Sequence, residues 1–119
     1  MKMDHIVIML SDLKVNLSFY ETLLPLIGFS KIRDHVFANE DGNHLDIKQA
    51  PEAEHEYRRF APGLNHIGFT AKDRDEIVSI QETMANAGFE VPEIQEFPDG
   101  SAIFFKDKDG MRIEVATYN

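Results

Sequence analysis

Two histidines and two acids stand at matching places in the two halves of this 119-residue chain. His5 lies in Asp4-His5-Ile6-Val7-Ile8-Met9, and His66 lies in Asn65-His66-Ile67-Gly68-Phe69-Thr70. From each histidine the sequence runs through a helical pattern to a Gly-Phe pair, Gly28-Phe29 or Gly88-Phe89. It then reaches an Asp-Gly turn, Asp41-Gly42 or Asp109-Gly110. Four residues past each turn glycine stands an acid, Asp46 or Glu114. Imidazole and carboxylate are the ligands that borderline and hard divalent metals take. The pattern therefore predicts that His5, His66, Asp46 and Glu114 converge on one metal ion. A lone histidine or acid on a strand is ordinary; the expectation rests on the same pair of types recurring in both halves.

Period-two and period-3.6 patterns set the elements that must position these residues. Residues 3–10 read as a strand, with Ile6, Ile8 and Leu10 on one face and His5 on the other. Ser11 and Asp12 are good helix N-caps. Leu13, Leu17, Tyr20, Leu24 and Ile27 then form one apolar helical stripe, interrupted by Pro25 and stopped at Gly28. Two short strands, 29–34 and 35–39, lead through Asp41-Gly42 to a strand over 44–49. Residues 51–63, rich in charge and bounded by prolines, read as a connector between modules 1–50 and 64–119. The second module opens with a strand over 64–70. A helix follows, capped by Asp73 or Asp75 and carrying Ile77, Ile80, Met84 and Ala87, with Gly88 as its stop. Strands over 89–95, 101–106 and 111–118 complete it. Each half thus reads strand, helix, three strands.

Each helix needs an apolar sheet face to cover: Ile6, Ile8, Leu10, Leu45 and Ile47 in one half, Ile67, Phe69, Ile113 and Val115 in the other. Alternation sends the intervening residues to the opposite face. Those are His5, His44, Asp46 and Lys48, then His66, Thr70, Arg112, Glu114 and Tyr118. Unpaired charges gathered in a concave face are costly to desolvate, and coordination to a cation removes that cost.

Composition narrows the partners. The chain is 43% hydrophobic and 28% charged, with a formal charge of −9 and no cysteine. Such an acidic surface repels phosphate backbones and anionic lipid, which argues against nucleic acid and membranes as partners. Thiolate sites and disulfides are excluded. The N-terminal residues lack the apolar core of a signal peptide, and a cytoplasmic location is expected.

The chain resembles the vicinal oxygen chelate superfamily, which includes glyoxalase, bleomycin-resistance, fosfomycin-resistance and extradiol dioxygenase proteins. The resemblance is carried by Asp4-His5-Ile6, by Ser18-Phe19-Tyr20, Leu23-Leu24 and Gly28-Phe29, by Asn65-His66-Ile67-Gly68-Phe69, and by Phe105 to Gly110 leading into Ile113-Glu114-Val115. It implies an α+β fold of two βαβββ modules forming an open barrel-like cup within a single domain, and commonly a homodimer. It also implies metal ligands at His5, His66 and Glu114. Asp46 falls where the glyoxalases place a fourth ligand, usually the longer glutamate. Met9 stands where glutathione-dependent relatives often carry arginine, and Val7 where fosfomycin-modifying relatives carry threonine.

The expected function is that of a metal-dependent enzyme, a lyase, isomerase or dioxygenase. It would hold a small-molecule substrate through adjacent oxygens on a divalent zinc, iron, manganese or nickel ion. Glu114 or Asp46 would serve as general base, and Tyr118, Arg112 and His44 would contact substrate. The competing expectations are a protein that sequesters a drug or metabolite without reaction, and a scaffold with a closed structural metal.

Overall fold

The computed structural model describes residues 1–119. They divide into two compact units, Met1–Glu56 and Tyr57–Asn119. The first runs β1 (His5–Leu10), α1 (Leu13–Leu26), β2 (Ser30–Arg33), β3 (Val36–Ala38) and β4 (His44–Gln49). The second runs β5 (His66–Thr70), α2 (Arg74–Asn86), β6 (Gln95–Phe97), β7 (Gly100–Lys106) and β8 (Arg112–Tyr118). The sheets have the same order, β1-β4-β3-β2 and β5-β8-β7-β6. In each, the first and last strands of the unit pair in parallel and the remaining pairings are antiparallel. The fold is α+β, two βαβββ modules.

Local chemistry starts and stops the helices. Asp12 Oδ1 accepts from the Val15 N–H at 3.2 Å, and Asp73 Oδ1 from the Glu76 N–H at 2.9 Å, so each cap satisfies an otherwise orphaned donor. Both helices end in the same motif. The Phe29 N–H donates to the Leu24 carbonyl and the Gly28 N–H to Pro25, while Phe89 donates to Met84 and Gly88 to Ala85. The glycines adopt φ of +93° in both cases, a conformation a side chain would strain. Pro25 sits inside the last turn of α1 without breaking it. Gln49, at the end of β4, accepts from the Leu13 N–H and donates to the Ser11 carbonyl, which fixes the β1–α1 corner.

Each unit has its own core. Tyr20, Leu23, Leu24, Phe29, Phe37 and Ile47 are fully buried in the first, and Ile77, Met84, Ile103, Phe105 and Ile113 in the second. Each such side chain contributes about 1.5–3 kcal/mol relative to exposure. The face of α1 turned inward differs from the expected stripe. Asn16, Phe19, Tyr20, Leu23 and Leu24 are buried, whereas Leu13, Leu17 and Ile27 are only half-buried. In α2, Ile77, Ile80 and Met84 are buried as expected, and Ala87 is the exposed C-cap. The segment expected as a strand over 89–95 is irregular, because Pro92 has no N–H to give a ladder, and β6 begins only at Gln95. The first strand starts at His5 rather than residue 3, and the fifth at His66 rather than residue 64. No helix is long and apolar enough to cross a membrane.

The β6–β7 hairpin is tied to α2 by one acid. Glu96 accepts from Ser101 Oγ at 2.5 Å and from Arg74 Nε at 2.7 Å. These two bonds, the serine's first, hold its carboxyl below the ordinary value of 4.5. A depressed carboxylate adds stability above the unfolded-state value, and that stability is lost as pH falls through the folded-state value. Ser101→Ala should therefore destabilise the fold more near about pH 7 than at a pH low enough to protonate Glu96 in both proteins. Urea midpoints of the two proteins at the two pH values check this.

Candidate metal centre

The face of each sheet away from its helix forms a grid whose rows follow from register. In the second unit one row is His66, Arg112 and Lys106, and the next is Gly68, Glu114 and Phe104. Glu114 is therefore one row along from His66 on the neighbouring strand, and its longer side chain reaches back. His66 Nε2 lies 2.9 Å from Glu114 Oε2. Gly68 makes room for this approach, since a Cβ there would sit 3.3 Å from that oxygen. Phe104 meets the imidazole edge-on, with ring centroids 5.5 Å apart, and steadies the ring. The His66 and Glu114 side chains are 35% and 17% exposed, open enough for a ligand and buried enough for their charges to matter.

The other ring nitrogen of His66 is committed. Nδ1 lies 2.7 Å from Asn65 Oδ1, and Asn65 Nδ2 donates to the Arg59 carbonyl at 2.8 Å. A carbonyl only accepts, so the amide nitrogen must face Arg59 and the amide oxygen must face the ring. With the proton on Nδ1, neutral His66 turns an Nε2 lone pair toward a carboxylate oxygen, whereas a ring protonated on both nitrogens satisfies both acceptors. Two lone pairs at 2.9 Å repel unless a proton or cation lies with them. This donor set fits a divalent metal: an imidazole nitrogen with its tautomer fixed from behind, and a carboxylate oxygen beside it.

The first unit repeats the grid with different side chains. His5 pairs with His44 in register, and Val7 with Asp46. Val7 thus occupies the place of Gly68, and Asp46 that of Glu114. The structure does not bring Asp46 to His5. Its carboxylate is one methylene shorter, a β-branched side chain fills the opening, and it pairs with Lys48 Nζ at 3.4 Å. His5 Nδ1 lies 2.6 Å from Asp4 Oδ2, and His44 Nδ1 lies 3.1 Å from the Gly42 carbonyl. Both partners are acceptors, so both rings carry the proton on Nδ1 and leave Nε2 free when neutral. The hydrogen bond from His5 holds the Asp4 carboxyl below the usual carboxylate range.

The remaining expected site residues are more scattered. Arg112 is half-buried beside His66, and its Nη1 donates to the Gly110 carbonyl at 2.6 Å. Tyr118 lies four residues beyond Glu114 on β8, about 13 Å at the rise of a strand, and is exposed. The one cluster of three metal-capable side chains with mutually close ligand atoms is Glu52, Glu54 and His55, all exposed on the connector. Sequence reasoning did not single out Asp4, Asn65 or Gly68. The signal was present: an acceptor side chain immediately precedes both histidines, and a glycine lies two residues after the one whose acid is long enough to reach it.

A family model described as the Glyoxalase/Bleomycin resistance protein/Dioxygenase superfamily matches residues 2–115. The protein YqjT of Bacillus subtilis (strain 168) is 29% identical over 123 residues, spanning 95% of this chain and 96% of that protein. Among solved structures, a glyoxylase/bleomycin resistance protein/dioxygenase domain from Frankia sp. EAN1pec superposes with a TM-score of 0.79 at 19% identity, over 100% of this chain and 93% of that one. The fosfomycin resistance protein FosX of Listeria monocytogenes gives 0.75 at 19% identity, over 100% and 94%. At these identities the structural matches speak for the fold.

Proposed function

The chain belongs to the Glyoxalase/Bleomycin resistance protein/Dioxygenase superfamily, and from that premise we propose that it is a metal-dependent enzyme. Its substrate is a small molecule held through two adjacent oxygens, and its reaction is an isomerisation or lyase step that begins with proton removal beside a carbonyl. His66 and Glu114, side by side on the second unit, hold one divalent ion. Bound there, the ion supplies Lewis acidity toward the substrate oxygens, which stabilises the negative charge that develops on them.

The observation that carries this reading is the His66–Glu114 pair at 2.9 Å with Nδ1 of His66 already engaged. Two protein ligands leave positions open for substrate, as catalytic rather than structural sites do. Glu114 serves as general base, taking the proton from the substrate carbon. Arg112 uses one of its five N–H donors on the Gly110 carbonyl, and the others are available to substrate oxygens.

Elemental analysis of protein purified without added metal tests the reading. The expected result is one divalent ion per chain. Protein that binds its small molecule unchanged and carries no metal would place it with the sequestering members of the superfamily instead.

A further inference from the structure

We propose that Asn65 is the positioning residue of this centre: its side-chain amide selects the tautomer of His66, and so decides which ring nitrogen faces Glu114. The inference rests on the reading of His66 as a metal ligand. A ring nitrogen coordinates only when it carries no proton, and the hydrogen bond made by the other nitrogen settles which one that is.

The amide is itself held in place by the segment before it. Asn65 Nδ2 donates to the Arg59 carbonyl at 2.8 Å, which forbids the flipped amide. The Tyr57 hydroxyl shares its one proton between the Leu64 carbonyl at 2.8 Å and the Asn65 carbonyl at 2.9 Å, the carbonyls of the two peptides that flank the Asn65 Cα. Residues 57–65 thus close on themselves and aim one acceptor, Oδ1, at Nδ1 of His66. Remove that acceptor and the best remaining partner for the ring proton is Glu114 Oε2, 2.9 Å from Nε2. The proton then moves to Nε2, the two ligand atoms bond to each other, and metal must displace that bond to enter. The first unit reaches the same end differently. Asp4 is a carboxylate, so either oxygen accepts and no anchor against flipping is needed.

The test uses metal-free protein at a pH above the imidazole titration. Long-range proton–nitrogen NMR reads the tautomer of His66, assigned by the signals missing from His66→Gln. Wild type should show the proton on Nδ1. Asn65→Asp keeps an acceptor and should show the same. Asn65→Leu should show the proton on Nε2, and zinc affinity by calorimetry should fall about tenfold, while Asn65→Asp binds zinc close to the wild-type affinity. A merely structural role for Asn65 would not move the tautomer. The proposal is overturned if wild-type His66 carries its proton on Nε2, or if Asn65→Leu leaves the tautomer unchanged. Should Asn65→Leu fail to fold, the wild-type and Asn65→Asp spectra still decide. Wild type that shows the Nδ1 proton but binds no zinc would sink the metal reading and leave the tautomer assignment standing.

Discussion

His66→Ala is expected to abolish divalent-metal binding and turnover together while leaving the fold intact. The side chain sits on β5, an edge strand, about a third exposed, with Phe104 as its ring neighbour and Glu114 as its polar one. Its removal opens no cavity in the core formed by Ile103, Phe105 and Ile113, which face the other way. The stability cost should stay within about 1 kcal/mol, as for a substitution outside the core. The functional cost is much larger. The proposed centre loses its imidazole ligand, and zinc affinity should fall at least about a thousandfold, roughly 4 kcal/mol. Glu114→Gln keeps the shape and removes the charge, so it should weaken zinc binding in the same direction. Calorimetric zinc titration, elemental analysis and urea unfolding separate the two costs. Turnover that persists in metal-free His66→Ala would end the Lewis-acid account.

Much of the fold was legible because its punctuation is local. Asp12 and Asp73 as caps, Gly28 and Gly88 as stops, and the turns at Gly42 and Gly110 act within a few residues of themselves, and they mark the repeat. Packing decided what was not legible. Helix α1 carries apolar residues on more than one side, so periodicity alone could not say whether Leu13 and Leu17 or Phe19 and Leu23 would turn inward. The sheet selected the latter. The stretch before β6 has Val91 and Ile94 half-buried without ladder pairing, a case in which apolar content suggests a strand and a proline denies it.

The candidate centre divides the same way. Alternation along β5 and β8 is enough to put His66 and Glu114 on one face. Their contact needs the register that sets Gly68 opposite Glu114. In the first unit the same register sets Val7 opposite Asp46. The sequence offered two histidines and two acids as equals, yet only one acid lies against its histidine. Chain length and one missing side chain, read across a strand pair, account for the difference. The role of Asn65 depends on a bond to the Arg59 carbonyl, which no periodicity reveals.

Gly68→Val tests that account of the asymmetry, because it writes the first unit's residue into the second. Gly68 lies in an ordinary strand conformation, so a side chain brings no backbone strain. A β-branched residue suits a strand, and stability should hold or rise slightly. The new Cβ, however, would lie 3.3 Å from Glu114 Oε2 and 3.9 Å from its Cδ, and two further methyl groups must fit on the same face. Glu114 then has to swing away from His66, and zinc affinity should fall at least about a hundredfold, roughly 2.7 kcal/mol. Stability and affinity thus move in opposite directions, which a misfolding explanation does not produce. The reciprocal change, Val7→Gly with Asp46→Glu, gives the first unit the opening and the reach that the second already has. It should bring that carboxylate to His5, as Glu114 lies against His66. If Gly68→Val binds zinc as tightly as wild type, the missing side chain is not what holds Glu114 against His66, and the contrast between the two units needs another cause.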